Sequence, residues 1–136
     1  RTPFIAHWPG VIKPGMTNQV GHIIDVSATL RDITGAKYPK KILGNKTKAP
    51  TGKSLFPIFK GEEREPHEEI FWRFNRANAV RQGDLKVVRV EKIWELYDLK
   101  ADPTETKNLA KERPKKTSEL SKMWEDWNEE CKIRPN

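Results

Sequence analysis

The sequence predicts an α+β fold, in which a C-terminal helix packs on a small antiparallel sheet of three to four strands, preceded by one further strand and one further helix. Between residues 69 and 99, short segments alternate apolar and polar positions and are joined by tight turns, which is typical of hairpins. The tail from Pro114 to Lys132 carries apolar residues at helical spacing, namely Leu120, Met123, Trp124, Trp127 and Cys131. We expect this stripe to lie over one face of the sheet.

The strands of the sheet are predicted at 69–74, 77–84, 85–90 and 93–99, with a turn at Gly83-Asp84 between the second and third. After the last strand, Asp102-Pro103 breaks the alternating pattern. An Asp side chain can accept hydrogen bonds from the backbone ahead of it, and Pro fixes its own φ angle. The pattern therefore indicates a strand followed by a capped turn.

The N-terminal part begins with a strand-like apolar run at 3–8, which starts without Met and ends at Pro9-Gly10. A domain rarely starts inside a strand, so we expect the chain to be a piece of a longer protein. Residues 22–35 predict a helix, with Asp25 as the N-cap and Gly35 as the left-handed residue after its last turn. A Lys-, Pro- and Gly-rich surface loop is expected at 36–53, and a short helical turn at 54–61.

Composition excludes several classes of function. The formal net charge is +7, but the Lys and Arg residues are interleaved with Glu, which favours a solvated surface over a nucleic-acid or membrane partner. No apolar run approaches the ~20 residues of a membrane span. The single cysteine, Cys131, excludes an internal disulfide and a cysteine-based zinc site. The three histidines (His7, His22 and His67) lack metal-ligand spacing, and no phosphate-binding loop or nucleophile motif is present.

The segment FWRFNRANAVR, residues 71–81, mixes aromatic residues with three arginines and two asparagines. The planar guanidinium group suits sulfate, phosphate or carboxylate as a ligand. Pairing of the same arginines with neighbouring Glu residues across the sheet is the alternative, and the sequence leaves both open.

Five blocks occur in order along nearly the whole chain: PFIAHWPG, HIIDVSATLRDITG, GKSLFPIFKGEEREPHEEIFW, AVRQGDLKVV and WELYDLKADPTETKNLA. Together they resemble the C-terminal portion of a sulfatase of the arylsulfatase family, within the alkaline-phosphatase-like superfamily. The resemblance implies that residues 1–53 are the tail end of a larger catalytic α/β domain and that 54–136 form the C-terminal subdomain. The chain departs from the family pattern at Thr51, Asn78 and Leu85.

The resemblance also implies a parent enzyme that hydrolyses sulfuric esters with a formylglycine nucleophile, made from a Cys or Ser, and a calcium ion. Their motif and ligands would lie upstream, so we expect no catalytic residue, no metal ligand, no cofactor and no activity in this chain alone. Family members are usually exported, periplasmic or lysosomal. By analogy, the subdomain can border the mouth of the substrate pocket, and the candidate substrate-binding residues are Trp72, Arg73, Asn75 and Arg76.

The partners implied are the missing N-terminal catalytic domain and, for the parent, a sulfated small molecule or glycan. The strand at 3–8 would have lost its neighbours, so we expect self-association through it, or its docking onto the small sheet. Two alternatives stay open. One is a fragment of a related phosphodiesterase or phosphonate monoester hydrolase, and the other is a stand-alone polyanion-binding module.

Overall fold

The computed structural model describes the backbone of residues 2–132 and their side chains apart from those of Val90 and Lys132. The elements in chain order are α1 (Ile24–Thr34), β1 (Lys41–Ile42), β2 (Asn45–Lys46), α2 (Phe56–Phe59), β3 (Glu69–Phe74), β4 (Ala77–Gln82), β5 (Leu85–Val90), β6 (Ile93–Asp98) and α3 (Pro114–Lys132). The α+β class is confirmed. The described chain forms two compact units, one up to Pro66 and one from His67.

The second unit is built on a four-stranded antiparallel sheet in the order β3-β4-β5-β6. Side chains alternate between the two faces of a strand, so each cross-strand row shares one face. The row of Phe71, Val80, Val87 and Leu96 lies on the face that α3 covers, and the last three are fully buried. The hairpin register follows directly from the alternation that the sequence shows.

Helix α3 covers this face with Leu120 and Trp124, which are buried against the same row. Met123 and Trp127 pack at its margin, and the Trp127 ring stacks on Phe71 at 4.9 Å between centroids. The predicted packing of the helix on the sheet is confirmed. Cys131 is the exception, because it is exposed and not buried with the rest of the predicted stripe.

The segment between β6 and α3 is fixed by two polar side chains. The amide oxygen of Asn108 accepts hydrogen bonds from the backbone N–H groups of Leu96 and Ala110, at 3.3 and 2.9 Å. The N–H of Leu109 donates to the carbonyl of Leu96 at 2.7 Å, which brings Leu109 into the core. Asp102 organises the preceding turn, where its carboxylate accepts the N–H groups of Thr106 and Lys107 at 2.7 Å each. The capped turn predicted here is confirmed.

The Asp102 turn predicts a pH dependence. Hydrogen bonds from the backbone of Lys107 and Thr106 hold the pKa of the Asp102 carboxyl below its ordinary value of 3.8. A carboxyl whose folded pKa is depressed adds stability above its unfolded pKa, and that stability is lost as the pH falls through the folded pKa. The protection factors of the Thr106 and Lys107 amides, which correct for the intrinsic slowing of exchange in acid, should therefore fall below pH 3.8. In Asp102→Asn these amides should exchange faster already at neutral pH, and unchanged protection would contradict this role for the carboxylate.

In the first unit, α1 ends at Gly35 in the left-handed conformation, as predicted (φ 69°). The predicted N-cap is wrong, because Ile23 occupies that position and Asp25 lies inside the first turn, fully buried. The Asp25 carboxylate instead accepts hydrogen bonds from the backbone N–H of Lys53 and the guanidinium of Arg64, each at 2.9 Å. A buried ion pair thus holds the chain around residues 53 and 64 against α1.

The predicted strand at 3–8 is not formed in this structure. A strand needs a neighbour for its backbone N–H and C=O groups, and the alternating sequence alone cannot supply one. The segment packs instead through rings: Phe4 stacks on Phe59 at 6.3 Å, and Trp8 lies 6.1 Å from Phe56. The short helix predicted at 54–61 is confirmed as α2, and the predicted loop at 36–53 contains the β1–β2 hairpin.

Candidate functional site

The four candidate substrate-binding residues lie on the hairpin that joins β3 to β4. Because Phe74 pairs with Ala77, Asn75 and Arg76 form a two-residue turn at its tip. Asn75 adopts a positive φ of 51°, which Asn tolerates better than most side chains. Phe74 is 76% exposed beside the turn. The tip therefore presents an arginine and an aromatic ring to solvent on a tightly closed turn.

Arg73 lies two residues before the tip, on the face of the sheet that α3 covers. Its Nη1 donates a hydrogen bond of 2.9 Å to Oδ1 of Asn128 on α3, and Asn128 is buried. Among the described residues, Asn128 is the one hydrogen-bond partner of the Arg73 side chain, and no carboxylate pairs with it. Arg76 has no side-chain hydrogen bond or ion pair within the described chain. Both charges are therefore left uncompensated near the tip.

Arg89 provides a contrast in the same cross-strand row. Its guanidinium carbon lies 4.7 Å from the ring of Trp94 and 5.1 Å from that of Trp124, so it is held by two cation–π contacts. Its Nη1 is 3.9 Å from the carboxylate of Glu125. Arg89 is thus a packing residue with a compensated charge.

Of the three arginines in 71–81, Arg81 contacts an acidic side chain of the following turn. Arg81 donates from Nε to the carbonyl of Gly83 at 2.7 Å and lies 4.0 Å from the carboxylate of Asp84. Among the described residues, no carboxylate pairs with Arg73 or Arg76, so these two remain the candidates for binding an anion.

Trp72 lies on the opposite face of the sheet from Arg73, because successive residues of a strand alternate. Its carbonyl accepts the indole N–H of Trp124 at 2.9 Å, and the ammonium of Lys86 lies 5.9 Å from its ring. On the same face, burial and a hydrogen bond to Glu95 raise the pKa of Tyr97 to about 12. Arg73, Asn75 and Arg76 therefore lie at or beside the tip of one hairpin, and Trp72 faces the other side of the sheet from Arg73.

The first unit contains an apolar groove of about 270 Å³ between the 4–8 segment and α1, lined by residues that include Ile5, Trp8, Leu30 and Leu55. Ile5 and Leu30 are 89% and 58% exposed. An apolar lining of this kind suits a packing partner rather than a sulfate group.

The described residues contain neither a metal-binding cluster nor a membrane-spanning helix. Among residues 2–132, no three His, Cys, Asp or Glu side chains come together as a metal site requires. Within that span, no helix combines the length and apolar character needed to cross a membrane.

Asn128 is the site residue that the sequence did not reveal. One signal was present, because Asn128 follows Leu120 and Trp124 at spacings of four and therefore continues the buried side of α3. A buried amide requires a hydrogen-bond partner, but the identity of that partner depends on the position of the sheet.

Comparison with known proteins places these features in a family context. Residues 1–132 match the family described as N-sulphoglucosamine sulphohydrolase, C-terminal. An ulvan-active sulfatase of Formosa agariphila is 29% identical to this chain over an alignment of 151 positions, gaps included. The alignment covers 81% of the chain and 29% of that protein.

Two solved structures share the fold. A protein from the glycosaminoglycan-metabolism locus of Bacteroides thetaiotaomicron has a TM-score of 0.70 at 25% identity, over 88% of this chain and 27% of its own. A second, solved with its substrate D-glucosamine-2-N,6-O-disulfate, has a TM-score of 0.54 at 25% identity, over 79% of this chain and 24% of its own. The chain thus spans less than a third of the length of these proteins.

Proposed function

Because the chain belongs to the family of sulfatase C-terminal domains described as N-sulphoglucosamine sulphohydrolase, C-terminal, we propose that it is the C-terminal subdomain of a longer enzyme that hydrolyses sulfuric esters of glycans. We call that longer protein the parent enzyme. The match of the family over residues 1–132 carries this proposal. Sulfated glycan substrates are supported by the ulvan-active relative and by the structure with bound glucosamine disulfate.

The catalytic chemistry of the parent belongs outside residues 1–136 in this proposal. The resemblance assigns the formylglycine nucleophile and the calcium ion to the upstream domain, where calcium would act as a Lewis acid on the sulfate oxygens. The apolar groove between the 4–8 segment and α1 is then a surface against which that domain packs. In the isolated chain the same surface would promote self-association.

The role of this chain toward substrate rests on the tip of the β3–β4 hairpin. Arg73 and Arg76 carry charges that no described carboxylate neutralises, and Asn75 adds an amide at the turn. A guanidinium presents several N–H donors in a planar fork, which matches the oxygens of sulfate or carboxylate. The hairpin therefore binds an anionic part of the glycan at the rim of the pocket. Trp72 faces the other side of the sheet from Arg73. A contact between Trp72 and substrate is therefore proposed independently of the contact made by the hairpin tip.

The test compares Arg73→Ala and Arg76→Ala in the parent enzyme over a panel of sulfated sugars. Loss of a charge-assisted hydrogen bond outside the reacting centre should raise KM about ten-fold with kcat nearly unchanged. Arg113→Ala is the matched control, since Arg113 is an exposed arginine just ahead of α3, whereas the Asn128 contact of the hairpin lies in the last turns of that helix. Unchanged kinetics for both hairpin variants across the panel would remove the hairpin from the substrate site.

A further inference from the structure

We infer that Asn128 is a positioning residue that aims the Arg73 guanidinium at a second anionic group of the glycan, distinct from the sulfate that is hydrolysed. This inference rests on the proposed function and deepens it. It identifies the substrate class as glycans with two acidic groups, the second being a sulfate or a carboxylate.

The contact between Asn128 and Arg73 fixes the direction of the guanidinium without neutralising its charge. The amide oxygen of Asn128 accepts one hydrogen bond from Arg73 Nη1 at 2.9 Å. An amide fixes the direction of the guanidinium but carries no charge to neutralise it. An aspartate at position 128 would fix the same geometry and cancel the charge. Asparagine therefore leaves an oriented cation, with N–H donors that no other described residue engages.

Both residues of this contact stand on regular secondary structure, Asn128 on α3 and Arg73 on β3. Asn128 is 8% exposed and lies one turn beyond Trp124, which is 3% exposed and anchors α3 to β3 through the carbonyl of Trp72. Arg73 stands on a strand that is paired with β4 along its whole length. Neither end of the contact is on a loop, so the guanidinium direction is set by the packing of the helix on the sheet.

Arg89 lies in the same cross-strand row as Arg73. The backbones of Arg73 and Arg89 are about 10 Å apart, two strand spacings across Asn78. Arg89 is held by Trp94, Trp124 and Glu125. Arg73 has none of these contacts, and Asn128 is its hydrogen-bond partner among the described residues. Arg76, at the neighbouring turn, has no side-chain hydrogen bond or ion pair with any described residue, so it can add a second guanidinium to the binding of an oxyanion.

The experiment measures sulfate release by the parent enzyme from three probes. They are glucosamine 6-O-sulfate, glucosamine 2-N,6-O-disulfate, and a 6-O-sulfated glucosamine linked to a uronic acid. Asn128→Asp should pair its carboxylate with Arg73 and raise KM about ten-fold for the probes with a second acid, while KM for the monosulfate changes less than about two-fold. Asn128→Ala should give a smaller rise with the same selectivity. Ser118→Ala, an exposed position on α3, is the control.

The probes separate the outcomes. A selective rise for the disulfate identifies a second sulfate as the ligand, and a selective rise for the uronic-acid probe identifies a carboxylate. Equal changes of KM for all three probes would mean that Asn128 acts only through stability, and would overturn the inference while leaving the proposed function intact. Absence of sulfate release by the unaltered parent from every probe and from the whole panel of sulfated sugars would overturn both.

Discussion

Replacing Trp124 with alanine is expected to lower the free energy of unfolding of the second unit by about 3–5 kcal/mol, as for other large buried aromatic residues. Trp124 is 3% exposed and joins the core formed by Val80, Val87 and Leu96. Its ring also lies 5.7 Å from that of Trp94 and 5.1 Å from the guanidinium carbon of Arg89. Truncation would leave a cavity between helix and sheet.

The substitution also removes a hydrogen bond. The Trp124 indole donates to the carbonyl of Trp72 at 2.9 Å, and alanine would leave that carbonyl without this donor. Because Asn128 lies one turn later on the same helix, loss of the Trp124 anchor should also loosen the contact between Asn128 and Arg73.

Hydrogen exchange at the amides of Val80 and Val87 during urea titration of the 136-residue chain measures this effect within the second unit. Asp126→Ala is the control, since Asp126 is an exposed neighbour on α3. A loss below about 1 kcal/mol for Trp124→Ala would contradict the packing of α3 described above.

Replacing Asp25 with alanine is expected to destabilise the first unit by about 3–5 kcal/mol, because it leaves a buried guanidinium without its counter-charge. The side chains of Asp25 and Arg64 are 0% and 5% exposed, and their N–O distance is 2.9 Å. Arg64 also donates to the carbonyls of Lys53 and Val20, at 2.9 and 2.6 Å. The ion pair is therefore the centre of a hydrogen-bonded cluster that joins three segments of chain.

Amide exchange at Lys53 and Leu55 reports this cluster directly, since these N–H groups donate to Asp25 and to Thr29 Oγ1 at 2.9 and 2.8 Å. Asp32→Ala, at an exposed acidic position of α1, should leave both amides protected. If Asp25→Ala behaved like Asp32→Ala, the ion pair would not be what holds this segment to α1.

Gly52→Ala tests the packing of the segment around residue 53 on α1 without removing a charged group. A Cβ at Gly52 would lie 2.1 Å from the carbonyl oxygen of Ile24, so the backbone must separate there. Gly15→Ala is its match, because the nearest atom to that Cβ is 4.0 Å away. The Lys53 amide should lose protection in the first variant and keep it in the second.

The sheet and α3 could be predicted from sequence because their signals are local. Alternation along 69–99 sets which residues face the helix, and tight turns set the pairing. The strand at 3–8 and the N-cap role of Asp25 failed for the opposite reason. A strand requires a partner strand. Asp25 is buried because it forms an ion pair with Arg64, which lies 39 residues away in the sequence. Local periodicity contains no information about either partner.

Some features of the candidate site, too, could be predicted from the sequence, and others depend on contacts between distant parts of the chain. The arginines of the hairpin could be chosen from composition and from the resemblance to sulfatases. Their separation from Trp72, and the distinction between Arg73 and the neutralised Arg89, depend on strand register and on the placement of α3. Asn128 could be identified only once the helix lay on the sheet.

Release of inorganic sulfate is the measurement that tests the central claim most directly. The parent enzyme should release sulfate from a sulfated glucosamine, and the 136-residue chain should release none under the same conditions. Hydrolysis by the parent of a phosphodiester to a phosphomonoester and an alcohol, or of a phosphonate monoester to a phosphonate and an alcohol, without any sulfate release, would contradict the claim and assign the chain to a phosphoryl-transfer enzyme.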